Sequence, residues 1–334
     1  MNYIGSKLKL SNWIKKEIHS VVGQDLSQKI FADIFAGTGA ISRALKKDVR
    51  EVIVNDLEKY SYVINRNYIG NHRIIKSASD IINELNNLPL EEGFIFKNYC
   101  LGGGQGRQYF KDNNGRKIDT IRKTISKLRN NKEITEDCYY FLLASLLESA
   151  DKVANTASVY GAFLKGIKKT AEKDLFLEPA DFDLTKNTHR VFQEDANKLI
   201  KEISGDILYL DPPYNSRQYG ANYHLLNTIA EYDEFIPKGK TGLREYSRSK
   251  YCSKVTVEQE FEDLIQQANF KYIFLSYNNE GLMPQSKIRQ IFSQYGKYDL
   301  VATDYQRFKA DKSKSRNYKA DSTIEYLHIL EKND

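Results

Sequence analysis

The chain has 334 residues, 41% hydrophobic and 28% charged, a balance that suits a folded globular protein and argues against disorder. Its net charge of +6 is a modest basic excess, enough for a polyanionic partner only where it is clustered. Cys100, Cys138 and Cys252 are widely spaced and suggest neither a zinc site nor a disulfide framework, so a reduced, cytoplasmic setting without metal ligands is expected.

The polar start Met1-Asn2-Tyr3-Ile4-Gly5-Ser6-Lys7 has no signal-peptide character, and no later stretch is apolar enough for a transmembrane helix. No membrane contact is expected. Ile30-Phe31-Ala32-Asp33-Ile34-Phe35 reads as a strand running into Ala36-Gly37-Thr38-Gly39 and then a helical pattern from Ala40 to Leu45. The glycines allow a sharp turn and let a ligand lie against the backbone. Glu51-Val52-Ile53-Val54 is the next strand, ending in Asn55-Asp56. An acidic residue at the tip of the second strand, after a glycine turn, is where dinucleotide-binding folds hold ribose hydroxyls; a helix cap is the alternative for Asp56.

From about Ser77 to Glu194 the strand–helix alternation breaks. Gly102-Gly103-Gly104-Gln105-Gly106 is too irregular for a phosphate-binding loop. A basic amphipathic helix follows, with Arg122, Lys123 and Lys127 sharing a face opposite Ile118, Ile121, Ile125 and Leu128, which is either a polyanion surface or a solvated face. Tyr139 to Ala154 reads as a core helix of the same region. Residues 77–190 are taken as an inserted, mainly helical subdomain between the α/β segments 1–76 and 191–334.

Alternation resumes at Val191-Phe192-Gln193, and Asp195-Ala196 opens a short helix. Ile207-Leu208-Tyr209-Leu210 is a short buried strand stopped abruptly by Asp211-Pro212-Pro213-Tyr214. The prolines remove two backbone donors and stiffen the turn, leaving a carboxylate and free carbonyls beside an aromatic ring. That arrangement suits a planar ligand bearing an amino group, a nucleobase amine among them; a strand-ending turn with a capping Asp is the plain alternative. His224 reads as a packed helix histidine. Basic loops run through Lys165–Lys173, Lys238–Lys254 and Lys309–Lys319. Tyr272–Tyr277 is a further buried strand, and Tyr298–Ala302 and Thr323–Leu330 are expected to pair as antiparallel strands.

Four motifs in this order, Tyr3-Ile4-Gly5-Ser6-Lys7, Asp33 to Gly39, Asp195-Ala196 and Asp211-Pro212-Pro213-Tyr214, resemble those of the Dam-like (alpha-group) N6-adenine DNA methyltransferases. The resemblance implies an α/β, Rossmann-like S-adenosylmethionine-dependent methyltransferase sheet of seven strands, the last two an antiparallel hairpin. It makes the inserted helical subdomain the target-recognition part. It implies that Tyr3, Lys7, Asp33, Phe35, Gly37 and Gly39 serve the methionine side of S-adenosylmethionine, Asp56 its ribose, and Asp195 with Ala196 its adenine. Asp211, Pro212, Pro213 and Tyr214 become the catalytic turn, acting on an adenine flipped out of double-stranded DNA. A cognate restriction endonuclease is an implied partner. No base-reading residue carries over.

Two rival readings stand beside this one. The acceptor can be an adenine in RNA or a glutamine amide in protein, although such enzymes usually carry Asn where Asp211 stands. Alternatively the chain is a nucleic-acid-binding module that has lost catalysis, against which Asp33, Gly37, Gly39, Asp56 and Asp211 all speak.

Overall fold

The structure, a computed structural model, describes residues 6–71, 73–306 and 322–333. Tyr3, Ile4 and Gly5 of the first motif and the basic tract Lys309–Lys319 lie outside the described residues. The chain divides into two compact units, one built on a sheet and drawn from Gly5–Leu57, Thr185–Gln218 and Arg248–Asp334, the other mainly helical and containing Glu58–Leu184 and Tyr219–Ser247.

The sheet unit has seven strands: β1 (Ile30–Asp33), β2 (Glu51–Asn55), β3 (Arg190–Phe192), β4 (Ser204–Leu210), β5 (Asn269–Asn278), β6 (Gly296–Gln306) and β7 (Ser322–Lys332). Their order is β3-β2-β1-β4-β5-β7-β6. The first five run parallel, and β7 is antiparallel to both β5 and β6, so the expected hairpin is present. The central strands are near-continuous apolar runs because a parallel sheet is covered on both faces. On one face Leu208, Leu210, Ile273 and Leu275 pack with Phe261 and Leu264 of the helix Val257–Gln267 and with Ile288 and Phe292 of the helix Gln285–Tyr295. Each of these fully buried side chains contributes about 1.5–3 kcal/mol of apolar transfer.

Strand order reverses between β1 and β4. From β1 the chain moves outward through β2 to β3 and then returns to β4, and in open α/β sheets ligands bind beyond the carboxyl ends of the strands at such a reversal. Asp33 pairs with Tyr209 across them, so Asp211 follows two positions beyond that register. Because β7 runs the other way, its beginning lies at the same edge of the sheet, with Glu325 opposite Asn278, the last residue of β5.

In the helical unit, the helices Asp112–Asn130 and Glu136–Lys152 are the longest, the second capped by the Thr135 hydroxyl accepting from the Cys138 N–H. Two residues of the first cap other helices. Buried Asp119 accepts the N–H groups of Ile95 and Phe96 at the start of the helix Phe94–Tyr99. Arg122 donates to the carbonyls of Ile229 and Ala230 near the end of the helix His224–Glu231. Each charge opposes the helix dipole it meets. Arg122 is therefore not part of a basic face with Lys123 and Lys127, as the helical spacing suggested: only 4% of it is exposed, and its guanidinium donates to the carbonyls of Ile229, Ala230 and Glu231 at one helix end.

The unit does not follow the sequence boundaries 77–190. Among the described residues it comprises Glu58–Leu184 and Tyr219–Ser247. The Tyr60 N–H donates to Asn227 Oδ1 at 3.0 Å and the rings of Tyr60 and Tyr223 lie 5.3 Å apart, so the helix after β2 and the one after the proline turn bury their apolar faces within this unit.

Candidate active site

β1 ends at Asp33, whose carboxylate is buried. Its Oδ2 accepts the Ser42 hydroxyl at 2.9 Å, while Oδ1 has no hydrogen-bond partner among the described residues. Burial pushes this carboxyl up to about 8, with Asp211 and Asp56 adding to the rise. Beyond it, Gly37 (φ 53°) and Gly39 (φ 71°) both adopt the left-handed region, where a Cβ is strained, and the turn leads into the helix Ala40–Leu45. The Gly37 N–H donates to Asp56 Oδ2 at 2.7 Å. Asp56 thus braces the glycine turn. It is not the cap of the following helix, where Glu58 stands at the N-cap.

Asn55, just before it, stitches three strand tips. Its side-chain amide donates to the carbonyls of Ile34 and Glu194, and its Oδ1 accepts the Glu194 N–H at 2.9 Å. Asp195 Oδ1 accepts from the N–H groups of Asn197 and Lys198, capping the short helix that Ala196 begins. Phe35 is half-buried, its ring 4.9 Å from Tyr251 in an edge-to-face arrangement.

β4 ends at Leu210, and Asp211 follows at the prolines. Lys7, which opens a short 3-10 turn, lies between two carboxylates: its Nζ is 3.3 Å from Asp211 Oδ1 and 2.5 Å from Glu325 Oε1. Burial alone would lower the Lys7 ammonium, yet Asp211 and Glu325 together lift its pKa well above the ordinary value. Burial likewise raises the Asp211 carboxyl, to about 6, with Lys7 opposing and Glu325 reinforcing the rise. The same Nζ lies 5.7 Å from the centre of the Tyr214 ring. Tyr214 is pinned by its carbonyl, which accepts the Leu282 N–H at 3.1 Å, and its ring meets Tyr277 edge-on at 6.4 Å. Pro212 is buried, and Pro213 half-buried.

Residues 3–291 match the D12 class N6 adenine-specific DNA methyltransferases. The chain belongs to this family. It is 65% identical to the Type II methyltransferase M.NlaIII of Neisseria lactamica over 332 residues, covering 99% of both chains. It is 40% identical to M.CviAII of Paramecium bursaria Chlorella virus 1 across 99% of this chain and 98% of that one. Against M.FokI of Planomicrobium okeanokoites it is 37% identical across 99% of this chain and 53% of that protein.

The methyltransferase therefore transfers a methyl group to the N6 amine of adenine in DNA, and its relatives are the Type II enzymes of restriction-modification systems. Lys7, Asp33, Phe35, Gly37, Gly39, Asp56, Asp195, Ala196 and the Asp211–Tyr214 turn all fall in the sheet unit. His224 falls in the helical unit, buried with Nε2 3.0 Å from the Tyr160 carbonyl; burial lowers its pKa to about 4, as befits a packed neutral histidine. Sequence reasoning missed Glu325, Asn55 and Ser42. Asn55 at the tip of a strand, beside Asp56, was a readable signal; Glu325 had none, since it meets Lys7 across 318 positions. No described helix is long and apolar enough to cross a membrane.

Proposed function

We propose that this methyltransferase uses S-adenosylmethionine to methylate adenines flipped out of double-stranded DNA, with Asp211-Pro212-Pro213-Tyr214 as its catalytic turn. The observation that carries the reading is the carboxylate pair at the strand-order reversal: buried Asp33 ends β1 and Asp211 follows β4. The orphaned Asp33 Oδ1 fits a ligand bearing an ammonium group, and the left-handed glycines fit a close approach of that ligand to the backbone. Asp33, Phe35, Gly37 and Gly39 would hold the methionine side with Tyr3 and Lys7, Asp56 the ribose, and Asp195 with Ala196 the adenine. Bound there, S-adenosylmethionine supplies an electrophilic methyl group on sulfur.

The target amine is a poor nucleophile because its lone pair is delocalised into the ring. Asp211 and the Pro212 carbonyl each accept one of its N–H groups and turn the lone pair toward the methyl. Orientation and electrostatics thus replace covalent catalysis. Pro213 stiffens the turn, and Tyr214 offers a stacking face that offsets part of the unpairing cost of a few kcal/mol. The helical unit carries target recognition, and a cognate endonuclease reads the same site.

Transfer of labelled methyl to unmethylated genomic DNA, followed by mapping of the modified adenines, tests the reading. Methyladenine recurring in one short sequence, lost in Asp211→Ala while DNA binding persists, supports it. Near-normal turnover by Asp211→Ala would overturn it.

A further inference from the structure

We propose that Glu325, acting through Lys7, is the positioning residue for the Asp211 carboxylate: it anchors the ammonium so that Lys7 holds one oxygen of Asp211 and leaves the other turned to the target amine. The inference rests on Asp211 being the amine acceptor. Lys7 is closer to Glu325, at 2.5 Å, than to Asp211, at 3.3 Å. An ammonium is a compact donor with three N–H groups on a flexible stem, so with a single carboxylate in reach it would engage that carboxylate alone. A second, stronger partner draws it back. Asp211 is then oriented by a weaker contact through Oδ1, and the ammonium does not compete with the target amine for both oxygens.

Glu325 is well placed to be the fixed member of the trio. Its side chain is only 4% exposed, and its strand is bonded on both sides, with Asn278 of β5 and Thr303 of β6 as neighbours in register. Glu325 is thus held by strand backbone paired on both sides and Lys7 is 7% exposed, whereas Asp211, 17% exposed, is the member that reaches outward. A buried carboxylate on a strand paired on both sides costs stability unless it is paired, and a well-packed apolar pair in place of Lys7 and Glu325 would be at least as stable. Stability alone does not explain a carboxylate at this position. Among the described residues, the charged and titratable groups that act on Asp211 are Lys7, Glu325, Asp33 and Tyr209, while Tyr214 lies against Lys7.

The test compares single-turnover methylation of DNA, from acid to neutral pH, in the full-length wild type, Glu325→Gln, Lys7→Met, the double variant and Asp211→Ala, with thermal melts of each. Glu325→Gln is expected to fold, to lose rate about tenfold, equivalent to ~1.4 kcal/mol of barrier, and to move its acid limb to lower pH because a neighbouring negative charge is gone. Lys7→Met leaves two buried carboxylates facing each other and moves the limb upward; adding Glu325→Gln brings it back and recovers rate over Lys7→Met alone. A dead Asp211→Ala beside a Glu325→Gln with wild-type rate and limb overturns the proposal. So does a loss of rate that follows the loss of folded protein while the limb stays in place. Should Lys7→Met fail to fold, the rate and pH profile of Glu325→Gln decide alone. An active Asp211→Ala would instead overturn the acceptor reading on which the proposal rests.

Discussion

The Asp56 carboxylate accepts the Gly37 backbone N–H at 2.7 Å, so the residue that follows β2 holds the shape of the glycine turn that follows β1. Asp56→Ala removes both this brace and the proposed ribose acceptor. Its affinity for S-adenosylmethionine, measured by calorimetry, is expected to fall roughly tenfold or more, about 1.4 kcal/mol. Unchanged affinity would take Asp56 out of the cofactor site.

Burial raises the Asp33 carboxyl to about 8 in the folded protein, against 3.8 as its reference value. A folded value above the unfolded one means that the native state binds more protons across this window, so stability falls as pH rises from 3.8 toward 8. Asp33→Asn keeps an acceptor for Ser42 and removes the need for this buried group to take up a proton on folding. The variant is expected to melt higher than the wild type at neutral to mildly basic pH, by roughly 3–6 °C, with the gap closing in acid, while losing cofactor binding. A lower melting temperature at neutral pH would contradict the account.

Asp211 must be ionised to accept the amine, and its carboxyl sits at about 6. The methyl-transfer rate is therefore expected to be flat above neutrality and to drop about tenfold per pH unit below the midpoint. Stopped-flow or quench measurements across this range decide it. A rate that holds down to pH ~4, the unperturbed Asp value, would mean that Asp211 is not the titrating acceptor.

Within the helical unit, Arg122→Met leaves the carbonyls of Ile229 and Ala230 without their donor, which stood at 2.8 and 2.9 Å. The loss is expected to cost about 3 kcal/mol, since buried acceptors bear their full desolvation penalty. Lys123→Met breaks an exposed pair with Glu91 and is expected to change stability by less than ~1 kcal/mol. Denaturant titrations of the two variants should separate widely; equal midpoints would refute the capping role.

The exposed loops give a ranking for DNA binding. Lys168 donates to the Thr156 carbonyl and Lys250 pairs with Glu260 at 2.7 Å, while Lys165, Lys169 and Arg248 are exposed. Alanine at Lys165, Lys169 and Arg248 together is expected to weaken cognate and random DNA alike and to flatten the salt dependence by up to ~1 per lost phosphate contact, whereas Lys168→Ala and Lys250→Ala do less. Fluorescence anisotropy across a salt series measures this, and a wild-type slope for the triple variant would clear these loops of phosphate contact.

The strands, the glycine turn and the proline stop were legible because they depend on short-range chemistry. Apolar runs, φ preferences and missing N–H groups act over a few residues, and β1, β2, β4 and β5 fall where those signals stand. The antiparallel edge was also readable, from two long β-rich segments near the end of the chain. The helical unit was readable only in its middle. Its limits follow from the burial of Tyr60 against Tyr223, a contact that hydrophobic periodicity reports as an apolar face without naming what covers it.

Charge was the least legible property. The helix Asp112–Asn130 presents Arg122 and Lys123 side by side in sequence, yet one is a buried cap and the other an exposed ion pair, because a one-residue step turns a helix by about 100°. The sequence by itself determined which groups are available: Asp33, the glycines, Asp56 and the Asp211–Tyr214 turn, each defined by local backbone chemistry. Only the tertiary structure decided what those groups face. Reversal of strand order brings Asp33 and Asp211 together, and the antiparallel β7 carries Glu325 to Lys7 from the far end of the chain, because burial forces each charge to find its opposite wherever the sheet delivers one.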